Sequence, residues 1–225
     1  MKTNFRAVRQ LIATSILMIS LLPAWSQDKS RLYLEGDVGG TLTSDTDLKA
    51  FFGPIAPNSR IKFDPGIRVG FRAGYGLTDW FAAEAETGIM ANNIDAMTGA
   101  TELEATLANV PLLLNARFHC PRMNRLTPYF GGGLGVSTAI FSADDVVVGG
   151  TRMHGSAADV VFAYQGFAGL RCNLNERMGL SLEYRYFATT EPDWKADVSF
   201  GPVSDRLRIG RIETHALTIA FDWRF

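Results

Sequence analysis

The last nine residues, Leu217 to Phe225, alternate between apolar and polar positions and end on an aromatic residue. Side chains of a β-strand point alternately to opposite faces, so the large apolar residues of this segment share one face. A soluble sheet would turn that face inward, whereas a membrane barrel turns it outward to lipid. The segment therefore predicts a strand and leaves its surroundings open.

The same alternation recurs along the chain, and no long segment has a helical period. The alternating runs are separated by clusters of Gly, Pro, Asp and Asn, which is typical of strands joined by turns. Eight strands are predicted, over residues 31–42, 61–76, 80–90, 103–118, 126–137, 159–171, 178–187 and 217–225. This pattern predicts an all-β fold, an eight-stranded antiparallel transmembrane β-barrel.

Charged residues fall on only one face of these strands. An Arg or Lys on the lipid face at mid-membrane costs about 2–4 kcal/mol, which explains their exclusion from the apolar face. Eight strands enclose only enough space for side chains to fill, and unpaired charges there would be very costly. We therefore predict an interior network of salt bridges formed by Glu35, Asp37, Arg68, Arg72, Glu84, Glu86, Arg117, Arg171, Glu183, Arg185, Asp222 and Arg224.

The connections alternate between short and long. Short turns are expected at residues 77–79, 119–125 and 172–177, and longer loops at 43–60, 91–102, 138–158 and 188–212. Outer-membrane barrels have short periplasmic turns, long extracellular loops and interfacial girdles of aromatic residues. The expected girdles comprise Tyr75, Phe81, Phe118, Phe130, Trp223 and Phe225 on the periplasmic side and Phe141, Phe162 and Tyr186 on the outer side.

The fourth predicted strand contains an irregularity. Pro111 lacks the N–H that a sheet ladder needs, and the apolar phase of Leu103, Ala105 and Leu107 is offset from that of Val110 onward. One β-bulge near Ala108 would account for both features.

The amino terminus resembles an export signal. Three basic residues precede the uncharged apolar run from Leu11 to Leu22, and small residues precede Gln27. The run is shorter than the roughly 20 residues of a membrane-spanning helix, which argues against an anchor. We predict a signal peptide over residues 1–26 and a barrel over 27–225. Removal of residues 1–26 changes the formal charge of the chain from −1 to −4. That charge balance argues against a nucleic-acid partner, which usually demands a basic face.

Cys120 and Cys172 are the only cysteines, and both fall in predicted periplasmic turns. The oxidising periplasm and the even count permit a disulfide. One strand separates the two predicted strand ends, however, and two strand spacings of about 9–10 Å exceed the Cα separation that a disulfide accepts. Both a bridge and two free thiols stay open.

Other potential sites carry little chemistry. The glycine-rich run from Gly131 to Gly135 lacks the spacing and the helix of a phosphate loop, and its glycines are expected to make room for bulky neighbours such as Tyr129. No pair of histidines has metal-ligand spacing, so neither a metal nor a cofactor is predicted. His215 is the one histidine placed for lipid chemistry, but no nucleophile pairs with it.

Five segments together resemble a known family. They are LANVPLLLNARF (107–118), LTPYFGGGLGV (126–136), FAYQGFAGLRC (162–172), LSLEYRYF (180–187) and THALTIAFDWRF (214–225). They are similar to the small eight-stranded outer-membrane β-barrel domains of OmpA-like, OmpW-like and opacity-type surface proteins. The resemblance implies a bacterial outer-membrane location and insertion by the barrel-assembly machinery, which would read the terminal aromatic Phe225. Other expected partners are outer-membrane lipids, including lipopolysaccharide, and an extracellular molecule at the loops.

The resemblance does not fix one function, because such barrels serve as adhesins, structural proteins, small-solute pores or, rarely, lipid enzymes. The favoured hypothesis is a non-enzymatic, side-chain-filled barrel that serves envelope structure and surface interaction. A narrow passage for small or apolar solutes is the alternative, and a lipid-modifying enzyme is third. A soluble lipocalin-type barrel would fit the periodicity alone, but the loop alternation and the family resemblance argue against it.

Overall fold

The computed structural model describes residues 31–51, 56–121, 123–148, 151–195 and 206–225, and within them the chain forms twelve β-strands. The predicted signal peptide lies outside these residues. Within them, no helix is long and apolar enough to cross a membrane. The strands are β1 (Leu32–Thr43), β2 (Thr46–Ala50), β3 (Arg60–Phe63), β4 (Gly66–Gly76), β5 (Phe81–Met97), β6 (Ala100–His119), β7 (Leu126–Val148), β8 (Thr151–Asn173), β9 (Met178–Thr189), β10 (Asp193–Lys195), β11 (Arg206–Ile209) and β12 (Glu213–Arg224).

Eight of these strands close into a ring. Their order is β1, β4, β5, β6, β7, β8, β9 and β12, each is antiparallel to its neighbours, and β12 pairs back on β1. The β1–β12 seam runs without a slip from Tyr33 opposite Arg224 to Thr43 opposite Thr214. Closure gives every strand of the ring two neighbours and leaves no free sheet edge in the lipid. The predicted eight-stranded antiparallel barrel is confirmed.

The outer face of the ring is apolar over a broad band. Large apolar side chains project from it on each of the eight strands, among them Val38, Ile67, Ile89, Leu114, Leu134, Val160, Leu182 and Ile219. Leu114, for example, is 71% exposed. In water, a side chain this exposed would contribute little hydrophobic stabilisation. This band is the surface that lipid covers.

Strands β5 to β8 continue beyond the apolar band on the side opposite the short turns, and there the two faces exchange polarity. Outward positions become polar, as at Asp95 and Glu104, while Ile94, Leu107 and Phe141 turn inward and are buried. Lipid favours apolar groups outside a barrel, whereas water favours them inside. The exchange therefore marks the outer boundary of the membrane.

Two predictions fail because of this exchange. The predicted loops 91–102 and 138–158 are largely strand, since β5–β6 and β7–β8 form long hairpins. Phe141, assigned to the outer girdle, is instead completely buried inside. The predicted loops 43–60 and 188–212 also contain strands. β2 lies in the first, β10 and β11 lie in the second, and β3 begins at Arg60, where the first loop was expected to end.

The bulge predicted near Ala108 is also wrong. Pairing of β5 with β6 skips two residues on each strand around Pro111, as its missing N–H requires, and resumes in the same register. Ala105 and Leu107 are buried on the inner face, in phase with Pro111. The offset of apolar positions thus reflects the change from lipid to water outside, not an extra residue.

The four short strands fold over the outer end of the barrel. Their pairing order, β10–β11–β2–β3–β5, ties them to the upper part of the ring. We call these strands, with the parts of β5 to β8 beyond the apolar band, the extracellular cap. Its apolar core comprises Leu48, Phe51, Ile61, Ile94, Met97, Ala105, Leu107, Ala139, Phe141, Ala143, Val146, Val161, Trp194, Leu207, Ile209 and Ile212.

Trp194 of β10 packs the cap against the barrel strands. Its ring is 1% exposed and lies 5.7 Å from that of Phe141, and its Nε1–H donates to the carbonyl of Ala139 at 2.9 Å. The amide of Asp193 donates to Asp159 Oδ2 on β8 at 2.9 Å. These contacts hold β10 against β7 and β8.

Replacing Trp194 by phenylalanine should loosen the cap without unfolding the barrel. The variant keeps an aromatic ring but leaves the Ala139 carbonyl without its donor, a loss of about 1 kcal/mol. Hydrogen exchange at the Asp193 amide should therefore accelerate roughly fivefold, because local opening governs exchange there. The amide of Leu182, in the transmembrane sheet, should exchange as before. Unchanged exchange at Asp193 would show that the indole hydrogen bond does not stabilise the cap.

Candidate functional site: the filled barrel interior

The barrel interior concentrates the charged residues of the transmembrane segment. Of the twelve residues assigned to it from the sequence, eleven are 5% exposed or less, and Arg224 is half-buried near the periplasmic end. Nine of them form one connected cluster, which we call the interior charge network: Glu35, Asp37, Arg68, Arg72, Glu84, Glu86, Arg117, Glu183 and Arg185. Arg171 and Asp222 form a separate pair below it.

Alternation along the strands builds this network. Glu84 and Glu86 follow one another on the inner face of β5, and Glu183 and Arg185 do the same on β9. The register places Glu86 directly beside Arg72 of β4. Opposite charges on neighbouring inward positions thus meet across the sheet.

Arg72 lies at the centre of the network. Its two terminal nitrogens donate to Glu183 at 2.7 and 3.0 Å, and Nη2 lies 3.1 Å from Glu35 Oε1. Glu84 and Glu86 lie slightly farther away, at 3.8 and 3.6 Å. One guanidinium therefore has four carboxylates around it, and neither it nor they have exposed side-chain surface.

Arg117 and Arg185 connect the network on either side. Arg117 donates to both oxygens of Glu35 at 2.9 and 3.2 Å, and its Nε lies 2.8 Å from Glu84. Arg185 bridges Glu86 and Glu183, each at 2.5 Å. Such charge-assisted pairs offset the large cost of taking ions out of water only when each charge has a partner.

Neutral side chains complete the network, and the charge pattern alone did not assign them to it. Asn115 and Gln165 donate to Glu86 Oε2 at 2.7 and 2.8 Å. The hydroxyls of Tyr33 and Tyr129 donate to Glu84 and Glu183 at 2.5 and 3.0 Å. The sequence signal that could have identified them is an amide or phenol at an inward position of a strand that also carries buried charges.

The glycines of β7 make room for this packing. A Cβ on Gly131 would lie 2.5 Å from the ring of Phe167, which lies under the guanidinium groups of Arg72 and Arg185 at 5.2 and 5.4 Å. Tyr129 gains its space from Gly169 on β8, where a Cβ would lie 2.5 Å from the Tyr129 ring. The run thus accommodates bulky neighbours, although Phe167 rather than Tyr129 fills the space beside Gly131.

An apolar layer separates the network from the cap. Met90, Leu113, Ala163 and Phe187 form it. The last three lie two positions along their strands from Asn115, Gln165 and Arg185, and Met90 lies four positions from Glu86. The core of the cap follows above. Side chains therefore fill the interior from the Arg171–Asp222 pair to the outer end.

The remaining candidate residues do not join this arrangement. Cys120 and Cys172 are free thiols, each partly buried. His215 lies at the outer end of β12, on the outward face, and its Nδ1 is 2.7 Å from the hydroxyl of Tyr184. Among the described residues, no group of three or more His, Cys, Asp or Glu side chains is placed to hold a metal ion.

Comparison with known proteins agrees with this architecture. A family model for the outer membrane protein β-barrel domain matches residues 11–225, and the chain belongs to this family. The protein is thus an outer-membrane β-barrel protein of a Gram-negative bacterium, located in the bacterial outer membrane. No curated protein sequence gives a significant match.

Three solved structures show the same fold. Outer membrane protein OprG from Pseudomonas aeruginosa is 16% identical, with a TM-score of 0.58 over 88% of this chain and 98% of that one. AlkL, determined in lipid bilayers, is 18% identical, with a TM-score of 0.56 over 90% and 94%. Neisserial surface protein A is 13% identical, with a TM-score of 0.51 over 86% and 97%. At these identities the likeness concerns the fold alone.

Proposed function

We propose that this protein is a closed, non-enzymatic barrel that serves envelope structure and surface interaction through its extracellular cap. One observation carries the proposal: the interior is filled by a buried charge network, an apolar layer and the core of the cap. An interior of paired charges and packed apolar groups offers no continuous water path for ions.

The cap supports the surface role. It extends the sheet beyond the lipid band, has its own apolar core, and presents polar side chains such as Asp95, Glu102 and Glu104 to water. A folded, water-exposed surface on a rigid barrel is suited to contacting other molecules.

The lipid-facing histidine favours no catalytic role. Within the described chain, His215 hydrogen-bonds a phenol, whereas hydrolysis by a nucleophile would need a hydroxyl or thiol activated by the histidine and oriented by a third group. The contact of His215 with Tyr184 and Tyr186 instead fits an interfacial aromatic cluster.

Planar-bilayer recording tests the closed barrel. Protein reconstituted in bilayers in molar potassium chloride should give no steady current, because neither the network nor the apolar layer admits hydrated ions. Comparison of boiled and unboiled mobility, with protease protection of the same vesicles, confirms that folded protein has inserted. Reproducible unitary current steps from inserted protein would contradict the proposal and favour the narrow passage for solutes.

A further inference from the structure

The periplasmic end of the barrel contains a cavity of about 1370 Å³. Tyr33 and Ala82, both buried, line its inner end. Beyond them, the guanidinium of Arg117 lies 5.7 Å from the centre of the Tyr33 ring, within the interior charge network. Exposed residues such as Trp80 and Arg177 form the rim. The cavity is therefore closed on the side of the membrane and open toward the periplasm.

One wall of this cavity is cationic. The strand order β1, β12, β9, β8 brings Arg31, Arg224, Arg177 and Arg171 to the cavity from four neighbouring chain segments. The amide of Arg224 donates to the carbonyl of Arg177 at 2.7 Å, so these two side chains leave from adjacent backbone. Asp79 and Glu176, both exposed, are the carboxylate side chains in the described lining.

The charges of this wall are unequally matched. Arg171 is paired with Asp222 through two hydrogen bonds, at 2.7 and 2.6 Å. The Nε of Arg224 lies 4.0 Å from Oδ2 of the same carboxylate, beyond hydrogen-bond distance. Its Nε is buried and has no hydrogen-bond partner. Arg224 thus brings a positive charge to the cavity without a carboxylate of its own, and its side chain is 36% exposed although its Nε is covered.

We propose that this cavity binds a small organic anion through a carboxylate or phosphate group held by Arg224 and Arg177. A guanidinium presents a planar fork of N–H donors that matches both oxyanions. Ligand pockets usually measure about 300–1,000 Å³, so this cavity has room for an organic molecule together with water. The ring of Tyr33 at the inner end and that of Trp80 at the rim supply apolar surface for its carbon skeleton.

Isothermal titration calorimetry of the folded full-length barrel tests this site. Dodecyl maltoside is the detergent, because its head group carries neither charge nor phosphate. Citrate and pyrophosphate are the probes, and sucrose is the neutral control. At least one of the two anions should bind, the affinity should fall with added salt because screening weakens ion pairing, and sucrose should not bind.

Two substitutions locate the binding. Arg224→Gln should weaken anion binding roughly tenfold or more, because it removes a charge-assisted hydrogen bond. Arg208→Gln, on the extracellular side, removes one positive charge from the molecule and should leave the affinity unchanged. The heat-dependent mobility shift shows whether each variant is folded. Equal affinities of Arg224→Gln and the unaltered protein, or no binding of either anion, would overturn the proposal.

The probes also distinguish the sources of the anion. Preference for citrate or for pyrophosphate identifies the oxyanion that the arginines hold, and either preference supports the site. The ¹⁵N–H resonance of Arg224 Nε should shift on addition of the preferred anion. If it shifts instead only in nanodiscs containing phosphatidylglycerol, and not with either soluble probe, a lipid head group occupies the cavity and the proposal of a soluble ligand is wrong.

Discussion

Replacing Arg72 by methionine is expected to destabilise the barrel by about 3–5 kcal/mol, the usual cost of removing one partner from a buried ion pair. Methionine fills similar space but provides no donor. Glu183 would lose its two hydrogen bonds at 2.7 and 3.0 Å, and Glu35 its contact at 3.1 Å. The free energy of unfolding, measured by urea titration in lipid vesicles, reports the change.

A matched surface pair provides the control. Arg208 Nη2 lies 2.9 Å from Glu191, and both side chains are at least one third exposed. Removing such a pair usually costs no more than about 1 kcal/mol. The loss of unfolding free energy for Arg72→Lys should lie between the losses for Arg72→Met and Arg208→Met. Lysine keeps the positive charge but cannot make the two parallel hydrogen bonds. Similar unfolding energies for Arg72→Met and Arg208→Met would show that water reaches the interior and solvates these charges.

If Arg72→Met does not fold at all, the urea titration gives no value. The fraction of protein that migrates as a folded barrel without boiling then serves as the measurement. That fraction should decrease from the unaltered protein to Arg72→Lys and then to Arg72→Met. A fully folded Arg72→Met population, stable at the same urea concentration as the unaltered protein, would contradict the expectation.

The transmembrane part of the fold could be predicted because one physical rule governs it. Between the short turns and the outer edge of the lipid, side chains alternate between lipid and a narrow interior, so charge and apolarity separate cleanly. Glu84 and Glu86 on one face of β5, with Ala83 and Ala85 on the other, show this at adjacent positions. The eight strands followed directly from that alternation.

The extracellular cap could not be predicted in the same way, because the rule reverses where water replaces lipid. The offset apolar phase of Leu107 was attributed to a bulge, yet its side chain is buried inside the barrel, in phase with Pro111. The reversal shifted the apparent phase of β6 and suggested a bulge that does not exist. Short strands such as β10, with only three residues, carry too little alternation to be recognised.

The charges of the interior could be assigned from the sequence, whereas their partners could not. Alternation gives the face of each residue, but contacts across the barrel depend on strand tilt and register. Arg72 meets Glu183, which lies 111 residues away, and no local pattern indicates this contact. The amides of Asn115 and Gln165 were not assigned to the network for a related reason. An uncharged inward side chain can be recognised as a network member only when its hydrogen-bond partner across the barrel is known.

The network contains five carboxylates and four guanidinium groups, and the two carboxylates of β5 are bound very differently. Glu86 accepts from Arg68 at 2.7 Å and from Arg185 at 2.5 Å, besides its two amide donors. Glu84 accepts from Tyr33 through Oε1 and lies 2.8 Å from Arg117, but its Oε2 has no hydrogen-bond partner.

Glutamine at these two positions should therefore have unequal effects, although each substitution removes one negative charge and preserves shape. At position 86 the new NH₂ group would face donors and replace an acceptor, so the cost should be about 3–5 kcal/mol. At position 84 the NH₂ group can take the place of the unpartnered Oε2, while the remaining oxygen still accepts from Tyr33. The Glu84→Gln substitution also leaves four carboxylates beside four guanidinium groups. We therefore expect it to lower the free energy of unfolding by no more than about 1 kcal/mol.

Urea unfolding of Glu84→Gln and Glu86→Gln in the same vesicles measures the difference directly. The midpoint for Glu84→Gln should stay near that of the unaltered protein, and the midpoint for Glu86→Gln should fall far below it. Equal losses would mean that net charge, which the two variants share, decides stability. A clear difference in the expected direction would mean that the number of hydrogen bonds to each carboxylate decides it, because net charge and shape are matched between the variants.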